Sequence, residues 1–182
     1  ARQLFGEEIK MSASRLDTFN RCRFSFFCRY GLSVKKLQPA EFDVLQRGTV
    51  VHYCLERFVK EYGKGVSVLS PEKIEELTDG YINDYLDGVT GYRAVETARG
   101  RFLVSRISRS DKEVAKRLAE EFAQSGFEPI ACELKIGGEG ENLEFPYDGG
   151  KISVSGSIDR VDKFSGYIRV VDYKTGSKKF KL

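Results

Sequence analysis

The sequence predicts an α+β fold of the mixed α/β kind, a small sheet flanked by helices with a long helical insertion. Three observations predict it. Up to Gly126, apolar residues recur at three- and four-residue steps, the period of a half-buried helix. Beyond Gly126 the period drops to two, the period of a strand. The second part is also punctuated by turn signals, of which Asp148-Gly149-Gly150 is the strongest. Helices first and strands afterwards point to helices packed on a small, antiparallel-looking meander. At 182 residues the chain has the length of one domain, or most of one, and is long enough to bury a core.

The elements follow in order. Residues 1–11 read as a polar lead-in. Ser12 or Ser14 caps a helix expected to run to Tyr30, with Gly31 closing it. Leu16, Phe19, Phe26, Phe27 and Tyr30 form its apolar side, and Arg15, Arg21 and Arg29 lie opposite. That basic face reads either as a solvated surface or as a phosphate contact. A Pro39-containing connection leads to a helix over 42–62, stopped by Gly63, with Val44, Val51, Leu55, Phe58 and Tyr62 as its stripe. His52 is the only histidine and falls at the edge of that stripe, with Gly48 one turn earlier. Such a residue is more often packing or surface than ligand. Ser70-Pro71 opens a third helix, with a break expected over 87–91. A fourth helical region spans 93–124, with a further break expected near 108–111.

The β-rich part begins with Ile130, Cys132, Leu134 and Ile136 alternating with polar residues. A short strand over 143–147 precedes the Asp148-Gly149-Gly150 turn. A longer strand over 151–162, a turn at 163–166 and a strand over 167–173 complete it. On the last strand Asp172 and Lys174 share a face, roughly 6.5 Å apart along the chain. A simple hairpin through 163–166 is expected to leave Asp159 and Asp172 at opposite ends. Their meeting would then need a bend, for which Gly156 is the natural place.

The bulk numbers exclude little. A net charge of +3 does not by itself demand a nucleic-acid partner, but basic residues cluster early and again at Lys174, Lys178, Lys179 and Lys181. No apolar run reaches membrane-spanning length and no signal peptide is visible. Cys22, Cys28, Cys54 and Cys132 form no CxxC pair and read as free thiols. The start at Ala1 and the end just after a strand-like motif suggest a piece of something larger.

The chemistry concentrates in two aspartates and a lysine. Carboxylates such as Asp159 and Asp172 suit a hard divalent cation, and an ammonium such as Lys174 can hold an attacking water or the scissile group. This set favours phosphodiester hydrolysis over acyl transfer, for which no GxSxG elbow is present. A bare Asp-x-Lys is more often a surface ion pair, and Glu133-Leu134-Lys135 has the same spacing. What distinguishes Asp172-Tyr173-Lys174-Thr175-Gly176 is Gly156-Ser157-Ile158-Asp159-Arg160, one strand and turn before it.

These two stretches match the GxxDR and DYKTG elements of a known family, and Gly48-Thr49-Val50-Val51-His52 matches its upstream G-x-x-x-H helix. The chain thereby resembles the RecB-type nuclease domain of the PD-(D/E)xK superfamily over nearly its whole length. Ser12-Ala13-Ser14-Arg15-Leu16 leading into Cys22-Arg23-Phe24-Ser25-Phe26-Phe27 is similar, more narrowly, to the nuclease domain of the AddB (RexB) type found in bacterial helicase–nuclease complexes. The resemblance implies a restriction-endonuclease-like core within a single nuclease domain fragment over 1–182, helical over 1–126 and β-rich and catalytic over 127–182. It implies a Mg²⁺ or Mn²⁺ ion held by His52, Asp159, Asp172 and the backbone carbonyl of Tyr173, with Lys174 positioning the nucleophile. Glu133 stands at the place of a further acidic residue, beside the metal or simply outward-facing. The resemblance also implies DNA as substrate, exonucleolytic action, an AddA-like helicase–nuclease partner, recombinational repair of double-strand breaks and a bacterial cytoplasmic, nucleoid-associated location.

AddB-type members further imply a 4Fe-4S cluster, with Cys22 at its first ligand position and the other three cysteines beyond the nuclease core. The sequence departs from the pattern at Arg23, where a proline is usual, and lacks the glutamine-and-tyrosine helix that follows DYKTG. These departures put the activity of the fragment alone in doubt. Two other readings compete: a non-catalytic DNA-binding or scaffold module, and a stand-alone RecB- or Cas4-like exonuclease.

Overall fold

The computed structural model describes residues 5–35, 44–90, 93–137 and 143–174, with side chains described for all but 44–47, 89–90 and 93–94. The expected polar lead-in contains a strand, β1 (Glu8–Met11). Helix α1 (Ala13–Arg21) is capped by Ser12, whose hydroxyl accepts from the Arg15 amide at 3.3 Å. The helix does not run on to Tyr30. Cys22 steps into extended geometry at φ −159°, ψ 107°, and its thiol accepts from Ser25 N at 3.5 Å to cap α2 (Arg23–Phe26). The chain then widens into a π-helical turn over Phe27–Gly31. Gly31 lies inside that turn, and the left-handed residue after it is Ser33 at φ 54°.

Helix α3 (Val44–Tyr62) carries His52 and stops, as expected, at Gly63, which takes φ +52°. A 3₁₀ segment over Gly63–Val68 follows. Helix α4 (Pro71–Thr90) starts at its proline, and the Ser70 hydroxyl accepts from Lys73 N at 3.2 Å. It continues through 87–90, where a break was expected; Gly91 lies outside the described residues. The next interruption falls between α5 (Arg93–Glu96) and α6 (Ala98–Gln124), at Thr97, whose hydroxyl accepts from Gly100 N at 3.0 Å. No break occurs over 108–111, because Ile107, Asp111, Ala115, Leu118 and Phe122 form one continuous buried face.

Strands β2 (Glu128–Ile136), β3 (Leu143–Tyr147), β4 (Gly150–Val154), β5 (Gly156–Phe164) and β6 (Tyr167–Val171) complete the chain. The long strand expected over 151–162 is split at Ser155, one residue before Gly156. The reason is β1, which pairs in parallel with β4 from Glu8↔Lys151 to Met11↔Val154 and takes the Ser155 amide on the Met11 carbonyl at 2.9 Å. The single meander is therefore two three-stranded sheets, β1-β4-β3 and β2-β5-β6.

The chain forms two compact units. One comprises residues 1–39 and 134–158 and holds the sheet β1-β4-β3, with α1, α2 and the π turn. The other comprises 40–133 and 159–182. Its core joins Val51, Leu55 and Phe58 of α3, Ile74, Tyr81 and Leu86 of α4, and Leu118 and Phe122 of α6. Phe58 meets Tyr81 edge-on at 5.1 Å. Among the described residues no helix is long and apolar enough to cross a membrane.

In this second unit β5 and β6 form a hairpin with pairs from Arg160↔Val171 to Phe164↔Tyr167. Ser165 and Gly166 are both left-handed, at φ 48° and 85°, as a two-residue type I′ turn requires. Asp159 and Asp172 each lie one residue beyond the last ladder pair. They leave the hairpin at the same end, not at opposite ends. The turn sits midway between them, so a plain hairpin brings them together and no bend is needed.

Candidate metal centre

Helix α3 is anchored by Val51, Cys54, Leu55 and Phe58, all buried. That anchoring leaves His52 half-buried at the helix margin. On β5 side chains alternate, so Asp159 and Arg160 project to opposite sides, and both are buried. On β2, Glu133 takes φ 49°, a left-handed conformation rare for a non-glycine residue and rarer inside a strand.

These three residues converge. One ligand atom from each of His52, Glu133 and Asp159 lies within 4.8 Å of the others. The backbone of Tyr173 joins them. His52 Nε2 donates to the Tyr173 carbonyl oxygen at 3.0 Å, and Tyr173 N donates to Asp159 Oδ2 at 2.5 Å. His52 Nδ1 stands 3.5 Å from Asp159 Oδ1. Both nitrogens of one imidazole thus face oxygens that can only accept.

Glu133 feels the same crowding. Its carboxyl pKa is raised, first by burial and then by the charges of Asp159 and Glu56, with His52 and Lys60 pulling the other way. Among the described residues, neither Glu133 nor Asp159 has a lysine or arginine within ion-pair distance. Two carboxylates, an imidazole and a carbonyl oxygen turned toward one another are a donor set that suits a hard divalent cation.

Asp172 and Lys174 do share a face. Lys174 Nζ donates to Asp172 Oδ1 at 2.6 Å, and both side chains are more than half exposed. The Asp172 carboxylate is not one of the three clustered side chains. Cys22 is exposed at the α1–α2 junction, and the described group of metal-competent side chains does not include it. Thr175 and Gly176 lie outside the described residues.

Sequence reasoning passed over a second layer behind the site. Arg160 is fully buried. Its guanidinium donates to Glu121 Oε1 at 2.6 Å and to the Tyr173 hydroxyl at 3.0 Å, and pairs with Asp162 at 2.9 Å. Arg169, opposite Asp162 in the ladder, also binds Asp162 Oδ2, at 2.6 Å. The available signal was Arg160 and Asp162 two apart on one strand face, with Arg169 across from them. The pattern is equally that of a solvated strand, so only tertiary burial separates the two.

The chain is similar to the B-type subunit of the ATP-dependent helicase/deoxyribonuclease of Clostridium acetobutylicum, 30% identical over 192 residues, covering 100% of this chain and 17% of the relative. It is likewise similar to the corresponding protein of Acetivibrio thermocellus, at 33% over 196 residues, covering 98% and 16%, and to that of Clostridioides difficile, at 33% over 182 residues, covering 94% and 16%. The chain thus spans about a sixth of the length of these relatives. The family model of the PD-(D/E)XK nuclease superfamily matches residues 10–181. With that match running from β1 past the last residue of the metal-competent cluster, the chain belongs to the PD-(D/E)XK nuclease superfamily.

Proposed function

We propose that the chain is a metal-dependent deoxyribonuclease domain that hydrolyses phosphodiester bonds, acting as an exonuclease. The observation that carries this reading is the convergence of His52, Glu133 and Asp159 within 4.8 Å, inside a chain of this superfamily. Residues 1–182 act as a single nuclease domain, with the catalytic groups on its β-rich part.

His52, Asp159, Asp172 and the Tyr173 carbonyl hold Mg²⁺ or Mn²⁺. When bound, the cation neutralises charge building on the scissile phosphate and acidifies a water. Asp172 stands beside Lys174 at the shared open end of the hairpin, so the ammonium that positions the attacking water starts from a pair already in place. The pair is exposed, and such a contact holds only weakly, which leaves Lys174 free to turn toward substrate. Glu133 stands beside Asp159 as an additional acceptor.

The names of the relatives support DNA as the substrate and a helicase–nuclease complex as the setting. The partner in this reading is an AddA-like subunit. In this reading the complex prepares double-strand breaks for recombination in the bacterial cytoplasm, at the nucleoid. Cys22 would supply the first ligand of a 4Fe-4S cluster, with the remaining ligands contributed by other parts of the full-length protein.

The test is cleavage of linear DNA by the full-length protein with Mg²⁺ or Mn²⁺. Asp172→Ala abolishes cleavage, and Lys174→Ala lowers kcat by about 10²–10³. Cleavage unchanged in both variants overturns the assignment.

A further inference from the structure

Tyr173 meets the site through its backbone and through the edge of its ring, 5.8 Å from the His52 imidazole, while its hydroxyl turns away toward Arg160. The β5–β6 ladder ends at Arg160↔Val171, so Tyr173 lies two residues beyond the last strand pair. No ladder bond holds it there. Yet its amide meets Asp159 Oδ2 at 2.5 Å and its carbonyl meets His52 Nε2 at 3.0 Å. Something else must fix residue 173.

The Tyr173 side chain supplies that fixing point. Its hydroxyl accepts from Arg160 Nη1 at 3.0 Å, and the Arg160 guanidinium lies 5.7 Å from the centre of the Tyr173 ring. Arg160 is itself held on several sides. It is fully buried, bound to Glu121 and Asp162, and stacked 4.9 Å over the Phe122 ring. The guanidinium is a rigid planar fork that donates in several directions at once, so three partners define its position.

We infer that Arg160 is a positioning residue for the metal centre: through the Tyr173 phenol it sets the Tyr173 backbone against His52 and Asp159, and with it the flanking Asp172 and Lys174. This rests on the metal-dependent reading proposed above. Arg160 is not part of the metal-competent group and acts through Tyr173. Its neighbour in sequence, Asp159, occupies the opposite strand face, so one dipeptide supplies a ligand in front and the lock behind.

The experiment is Mn²⁺ binding to the full-length protein, followed by calorimetric titration and by the electron paramagnetic resonance of free Mn²⁺. Wild type, Asp159→Ala, Tyr173→Phe, Arg160→Lys and the double variant are compared well below their unfolding midpoints. There, a loss of global stability alone does not change the affinity of native molecules. Tyr173→Phe, which removes only the phenol oxygen, is expected to weaken Mn²⁺ binding about tenfold. Arg160→Lys is expected to weaken it similarly, because a point ammonium cannot span the three partners. The double variant is expected to be no worse than the weaker single one, since both break the same link.

Wild-type affinity in both single variants would show Arg160 to be purely structural and overturn the inference. Mn²⁺ bound equally by wild type and Asp159→Ala, or by neither, would overturn the metal reading itself and the inference with it. Should Arg160→Lys not fold, Tyr173→Phe decides alone.

Discussion

At the scale of single residues, Glu133 carries two costs at once. Its left-handed backbone, at φ 49° within β2, is strained by about 1–3 kcal/mol. Its carboxyl is half-buried beside Asp159 and within range of Glu56, which raises its pKa. The folded chain therefore holds the Glu133 proton more tightly than the unfolded chain does. Between the ordinary carboxylate pKa and the raised one, folding takes up a proton, so metal-free stability falls as pH rises through that window. Glu133→Gln is expected to remove this part of the slope. Thermal unfolding of metal-free protein from about pH 4 to about pH 8 should show the variant gaining on wild type as pH rises, while its Mn²⁺ binding weakens. Curves that stay parallel over that range would mean that Glu133 is not under charge strain.

At the scale of elements, the long helix α6 depends on a start that the sequence hides. Thr97 takes φ −92°, ψ 151° and caps the 27-residue helix through the Gly100 amide. Thr97→Ala is expected to cost about 1 kcal/mol, and Thr97→Ser to restore most of it, read as urea midpoints at constant slope. Equal midpoints for the alanine variant and wild type would show that the cap contributes nothing. Ser108, Ser110 and Asp111 look like breakers, yet Asp111 is buried within the helix, because packing of the whole face outweighs local preference. Where punctuation and packing agree, as at Gly63 and Pro71, boundaries could be read directly. The Cys22 break could not, since Arg21 to Phe24 carries no helix breaker and the step into extended geometry is local backbone detail.

At the scale of the whole molecule, the candidate site gathers residues from α3, β2, β5 and the segment after β6. His52 and Tyr173, which touch, are 121 positions apart. Motif spacing made Asp159, Asp172 and Lys174 visible, and family resemblance raised His52. The same-ended hairpin was also present in the numbers, because Asp159 and Asp172 are equidistant from the turn. The second sheet was not, since the partner of β4 lies at residues 8–11, far away in sequence, and the alternation Glu8-Ile9-Lys10-Met11 is too short to mark a strand by itself. Charge is equally local in effect. A net +3 predicts little, but the stretch from α1 through the π turn concentrates Arg15, Arg21, Arg23 and Arg29. The structure divides their labour. Arg15 is committed to the Lys10 carbonyl and lies 4.7 Å over the Tyr30 ring, whereas Arg21 is 77% exposed and pairs with Asp17. If this face meets DNA phosphates, Arg21→Gln is expected to flatten the slope of log K against log salt by about 0.9, the contribution of one phosphate contact. Arg15→Gln should leave that slope unchanged. Equilibrium binding to a short duplex across a salt series separates the outcomes. A slope that neither substitution alters would return this arginine face to ordinary solvated surface.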